Sequence, residues 1–167
     1  MLTNTKTYIA IAAASFFATM APALAGPEIN TSTGIVTANG KPALGLAVHG
    51  YDVVSYFTEG KPVKGDARFA VSQSAATYRF SSQANLDAFK ANPARYEPVY
   101  GGFCAYGVSV GAKFDGDPEM WKIVDGKLYL NLDSDIQQVW VKDIPGNIKK
   151  AEVNWPGIKG KLPSEIK

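Results

Sequence analysis

The chain of 167 residues holds one cysteine and one histidine, and these are the side chains best suited to chemistry. Cys104 lies in Gly101-Gly102-Phe103-Cys104-Ala105-Tyr106-Gly107, where the flanking glycines let backbone or ligand approach closely. His49 stands immediately before Gly50-Tyr51-Asp52. A soft thiolate with an imidazole is a donor set that copper or zinc favours, and the Asp52 carboxylate could complete a low-coordinate metal site. Each residue also has a plainer role. A free cysteine between aromatic neighbours such as Phe103 and Tyr106 often packs as a small hydrophobe. A lone histidine can satisfy its hydrogen bonds locally, and an aspartate beside a glycine turn can cap that turn. A Cys104–His49 nucleophile pair is permitted, but no orienting Asn or Asp and no oxyanion motif accompany it, so the residues do not suggest an enzyme.

Tyr51, Tyr100, Phe103 and Tyr106 could line a small apolar pocket near the cysteine, with tyrosine hydroxyls as its polar groups, suiting a small ligand as well as a metal. Asp115 and Asp117 invite a calcium reading. The twelve-residue oxygen-ligand pattern of an EF-hand is absent, so they read as solvated loop carboxylates.

These residues must be positioned by short elements. Ala47 to Asp52 reads as a strand entering a turn before Val53 to Phe57. Arg68–Ser72 and Thr77–Phe80 read as an antiparallel hairpin joined through residues 73–76. Ser81 or Ser82 caps the helix that follows, in which Leu86 and Phe89 share a face, and Asn92-Pro93 ends it. Residues 109–119 read as a loop. Trp121-Lys-Ile-Val meets Lys-Leu-Tyr-Leu across Asp125-Gly126, the preferred pair for a two-residue turn, with Ile123 facing Leu128 and Trp121 facing Leu130. Ser134 with Gln137 forms a capping-box pattern, and Ile136, Val139, Trp140 and Ile144 follow at helical spacing. Pro145-Gly146 breaks that helix. Asn147 opens another, with Ile148, Ala151 and Trp155 on one face, which Pro156-Gly157 stops. No internal repeat, heptad run or low-complexity tract is visible. The fold class expected is α+β: a small antiparallel sheet or hairpins packed with a few short helices, in a single domain.

Tyr78-x-Phe80-x-Ser82 followed by Phe89-x-x-x-Pro93-x-x-Tyr96 resembles the YHS domain, a small module of a hairpin or short sheet and one helix. Secreted bacterial proteins of that family are similar to this chain at residues 50–57, at Tyr100-Gly101-Gly102-Phe103-Cys104-Ala105, and at Trp121 to Leu130. Together these cover about residues 45 to 156. The resemblance implies copper or zinc binding, which YHS domains of metal-transporting ATPases perform through cysteines, one before the hairpin and others at the strand-to-helix corner. Here that corner is Phe80-Ser81-Ser82.

Lys6, the apolar run Tyr8 to Met20 and Ala23-Leu24-Ala25 have the form of a signal peptide cleaved after Ala25. The apolar run is short of the roughly 20 residues a membrane span needs, so no stable membrane insertion is expected. Residues 26–44 then form an arm, 45–158 the domain and 159–167 a mobile tail. The chain has 17 basic and 15 acidic residues; loss of residues 1–25 removes only Lys6, leaving 16 against 15. With charge so balanced and no basic stripe, nucleic acid is excluded as a partner class. A lone cysteine in an exported chain forms no internal disulfide, leaving Cys104 as a buried core residue, a ligand, or a link in a homodimer. The expected protein is a periplasmic or secreted binder of a metal ion, with a non-metal small-ligand or protein interaction module built around a buried Cys104 as the alternative.

Overall fold

The computed structural model describes residues 28–32, 37–38 and 41–166. The expected signal-peptide cleavage lies outside the described residues. Strands β1 (Thr31–Ser32), β4 (Leu46–Ala47), β5 (Asp66–Gln73) and β6 (Ala76–Phe80) form a four-stranded sheet in the order β1-β4-β6-β5. The β4–β6 pair is parallel and the rest antiparallel, so the expected antiparallel sheet carries one parallel pair. Strands β2 (Thr37–Ala38) and β3 (Lys41–Pro42) pair in the arm. Strands β7 (Asp117–Val124) and β8 (Lys127–Asn131) form a separate hairpin. Helices α1 (Ser55–Thr58), α2 (Gln83–Ala91), α3 (Pro93–Tyr96), α4 (Ala105–Ser109), α5 (Ser134–Val141) and α6 (Ile144–Ile158) complete an α+β domain.

Most expected elements are present, with shifted ends. The Ser82 side chain accepts the Asn85 N–H and caps α2, whose Leu86 and Phe89 are buried. Of Ala47 to Asp52, expected as a strand entering a turn, only Ala47 lies in β4 and Val48–Gly50 form a 3₁₀ turn; Ser55–Thr58 after it is helical. Asp133, one residue before the expected Ser134, caps α5 by accepting the Ile136 N–H. Asp143 caps α6, and its carboxylate accepts the Gly146 N–H, so Pro145 sits in the first helical turn where its missing N–H costs nothing. The expected break at Pro145-Gly146 is thus a helix start. Pro156 likewise fails to end α6, which runs on to Ile158. Residues 163–165, in the expected tail, form a short 3₁₀ turn.

The hairpin at Asp125-Gly126 has the expected register, Ile123 opposite Leu128 and Trp121 opposite Leu130. Both turn residues have positive φ, 50° for Asp125 and 72° for Gly126. Gly126→Val is therefore expected to cost about 1–2 kcal/mol, the penalty of a left-handed conformation, read as a lowered urea midpoint. A change within about 0.5 kcal/mol would count against that turn.

Alternation along β8 explains how one strand serves two cores. Leu128 and Leu130 enter a first cluster with Val53, Val54, Tyr78 and Phe89, whereas Tyr129 points the other way into a second, with Tyr100, Trp140 and Ala151. Both faces of β8 are buried. It is the wall between two cores, and Cys104 forms a bridge beside it at Leu130.

Candidate functional site

Two left-handed turns build the site. Val48, His49 and Gly50 have φ of 48°, 50° and 78°, and Tyr100, Gly101 and Gly102 have 56°, 63° and 83°. Valine, with a branched β-carbon, strongly resists this region, so the backbone at Val48–His49 is strained. Such strain persists only where surrounding contacts impose it, and it concentrates at functional sites. The turns lie against each other: a Cβ placed on Gly102 would come 3.9 Å from Val48 Cγ2. Gly101 is held closer still, because a Cβ there would overlap the Glu28 carbonyl. Glu28 belongs to a strap in which Asn30 donates its backbone N–H to Gly101 O at 2.9 Å.

The left-handed turn aims His49 outward. Its Nε2 lies 2.9 Å from Asp115 Oδ1, and Asn30 Nδ2 donates to the same oxygen at 2.5 Å. Burial pushes the Asp115 carboxyl up, but the hydrogen bonds from Asn30 and His49 outweigh it and hold the carboxyl below its usual range. His49 and Asp115 are 39% and 54% exposed, so solvent and ions reach both. Around them lies an open cleft of about 290 Å³ lined by Tyr51, Lys64, Asp117 and Leu132 as well. Asp117, read from sequence as solvated, accepts the Glu119 N–H at 2.8 Å.

Cys104 is fully buried. Its backbone N–H donates to Phe114 O at 3.0 Å, and its sulfur caps α4 by accepting the Gly107 N–H at 3.4 Å. Burial pushes the thiol pKa up, while N–H groups of Gly107, Leu132 and Tyr106 pull partly against it. The thiol lies 3.9 Å from Asn131 Oδ1. The Asn131 amide nitrogen is buried and finds no partner among the described residues.

Asp52 is committed elsewhere. Fully buried, it accepts the Val54 N–H on Oδ1 at 2.9 Å. Its Oδ2 accepts the Ser81 N–H at 2.8 Å, the Ser81 hydroxyl at 2.7 Å and the Asn85 amide at 2.7 Å. That network ties the turn before α1 to the corner between β6 and α2, which matches the capping role rather than the ligand role expected for Asp52. Among the described residues no group of three or more His, Cys, Asp and Glu side chains is arranged to hold a metal ion. Cys104, His49 and Asp52 thus do not form one three-ligand centre. The Cys104 backbone N–H and the His49 ring are each hydrogen-bonded to one of two consecutive residues, Phe114 and Asp115.

Of the expected pocket residues, Tyr51 lines the cleft, and its hydroxyl donates to Glu119 at 3.0 Å. Phe103 lines an adjoining recess of about 550 Å³ with Asn30, Lys113 and Phe114. Tyr100 and Tyr106 pack with the second core instead. Sequence reasoning missed Asn30 and Asn131 as site residues and read Asp115 as a solvated loop carboxylate, whereas it is bonded to Asn30 and His49. Asp115 and Asn30 meet only because the arm folds back across the second turn, a long-range contact that no local pattern announces.

Among the described residues no helix is long and apolar enough to cross a membrane. No curated protein and no solved structure matches the chain. The family model of the YHS domain matches residues 54–100, the stretch that holds α1, the β5–β6 hairpin, α2 and α3 and that Asp52 pins at its corner.

Proposed function

We propose that this is an exported, periplasmic metal-handling protein that takes a single soft ion, Cu(I) in preference to Zn(II), through Cys104 and His49. The observation that carries this reading is that the backbone of Cys104, which bears the only thiol, and the ring of His49, the only imidazole, are hydrogen-bonded to the adjacent residues Phe114 and Asp115. A metal-bound histidine commonly gives its other ring N–H to a carboxylate, which fixes ring and tautomer. Asp115 stands ready for that role at Nε2, leaving Nδ1 for the ion. A closed zinc site needs four ligands and the described residues offer no group of three, whereas Cu(I) accepts few, soft donors. When bound, the ion would be carried rather than used. Asp52 serves as scaffold.

Titration with Cu(I) and with Zn(II) against a competing chelator tests this. One equivalent of Cu(I) is expected, abolished in Cys104→Ser and weakened about 10–100-fold in Asp115→Asn, the usual cost of losing such a partner. Affinity should fall as pH drops, because both ligands must shed protons to bind. Wild-type protein that takes up neither ion, or Cys104→Ser that binds like wild type, would overturn the reading.

The full burial of Cys104 favours a second reading, an interaction or small-ligand module in which the thiol is core and the His49–Tyr51 cleft is the recognition surface. There the thiol reacts with alkylating reagents only on unfolding, with or without chelator. A ligating thiol is instead protected by added Cu(I) in the native state.

A further inference from the structure

The second hairpin repeats the first pair for pair. In β5–β6 the partners are Asp66–Phe80, Ala70–Arg79, Val71–Tyr78, Ser72–Thr77 and Gln73–Ala76. In β7–β8 they are Asp117–Asn131, Trp121–Leu130, Lys122–Tyr129, Ile123–Leu128 and Val124–Lys127. Every pair is displaced by 51 positions (66 to 117), and the register shift falls at the same place in both.

The same step carries many other details. Asp66 Oδ1 accepts the Arg68 N–H, as Asp117 accepts that of Glu119. Each hairpin turns on two residues of positive φ, Ser74-Ala75 and Asp125-Gly126. Ser82 caps α2 as Asp133 caps α5, and Asn92 precedes α3 as Asp143 precedes α6. Buried Phe89 corresponds to buried Trp140, and Tyr78 to Tyr129. Gly65 is crowded by Arg79 as Gly116 is by Leu130. One residue is lost in the loop between, so upstream features are displaced by 52 positions (48 to 100). The left-handed turns then coincide, and so do the bonds that close them, Tyr51 N–H to Val48 O and Phe103 N–H to Tyr100 O. Asp52 N–H to Val63 O corresponds to Cys104 N–H to Phe114 O.

We infer that residues 100–147, which α6 extends to Ile158, are a second copy of the module formed by residues 48–96, and that Cys104 fills the copy's corner pocket, the counterpart of the pocket Asp52 fills in the first. Asp52 accepts N–H groups from Val54, immediately before its short helix α1, and from Ser81 at the strand-to-helix corner. The Cys104 sulfur is served likewise by Gly107 and by Leu132, the residue 51 positions after Ser81. Beside it Asn131 presents Oδ1 to the sulfur at 3.9 Å, and the buried Nδ2 of the same amide is a donor that no protein acceptor uses among the described residues. The pocket is therefore built for an acceptor larger in demand than a thiol. On the proposed function above, that occupant is the sulfur carrying its soft ion, so the second copy supplies the thiol and the first copy supplies the imidazole of His49.

Urea unfolding of four variants in the presence of chelator tests the equivalence without any ion. Cys104→Asp should keep a cooperative transition with a midpoint above that of Cys104→Ala, because the carboxylate finds the donors that Asp52 finds. A merely hydrophobic Cys104 gives the reverse order, Ala close to wild type and Asp far below, and that result overturns the inference. Should both Cys104 variants fail to fold, the reciprocal pair decides: Asp52→Cys above Asp52→Ala supports equivalence, and the opposite order defeats it. Absence of Cu(I) binding by wild-type protein would remove the proposed function while leaving these orders intact.

Discussion

Replacing Asp52 by alanine is expected to destabilise the protein by about 3–5 kcal/mol, because two backbone donors, one buried and one partly buried, are orphaned at once, each costing about 1–3 kcal/mol. The Val54 N–H and the Ser81 N–H both lose their acceptor, and the Asn85 amide loses a charge-assisted bond. Asparagine should rescue little. Each carboxylate oxygen of Asp52 carries a backbone N–H, so whichever oxygen becomes an amide nitrogen meets a donor head-on. Denaturant unfolding of both variants measures this, and Cu(I) titration under native conditions separates it from ligation. A loss below about 1 kcal/mol for Asp52→Ala would mean that the corner is not held by these bonds.

The corner also shows what the chain could and could not reveal by itself. The helix α2 was legible, since a serine cap, two apolar residues on one face and Asn92-Pro93 are all local signals. The Asp125-Gly126 hairpin was legible for the same reason. The α6 start was not, because Pro145 reads as a breaker until Asp143 is known to cap the turn that Pro145 opens. The arm's reach to Asp115 and the sharing of one carboxylate oxygen by Asn30 and His49 are contacts across the whole sequence. As for the site, Cys104 and His49 stood out by rarity, but their burial and partners depend on two left-handed turns. One of these puts a valine at positive φ, a conformation that the sequence argues against. The repeat was hidden because it is written mostly in register, caps and tight approaches, with few shared residues such as Gly65 and Gly116 or Tyr78 and Tyr129: Asp52 is matched by Cys104, Ser81 by Leu132 and Phe80 by Asn131.

Trp140→Ala is expected to cost about 3–5 kcal/mol, the range for removing a large aromatic from a core. Trp140 is the buried anchor of α5, fully enclosed, with its ring 5.5 Å from that of Tyr129. Truncation leaves a cavity against Tyr129 on β8, the strand whose other face builds the first core. The damage should therefore not stay in the second core. Across the boundary the Tyr56 hydroxyl donates to Pro118 O at 2.9 Å, and its ring stands edge-on to Trp121 at 5.2 Å. Because one strand and these contacts join the cores, the variant should unfold in a single transition shifted to lower denaturant, with tryptophan fluorescence and far-ultraviolet circular dichroism coincident. Two separated transitions, the first confined to residues 100–158, would show instead that the two copies fold as independent units and that β8 does not couple them.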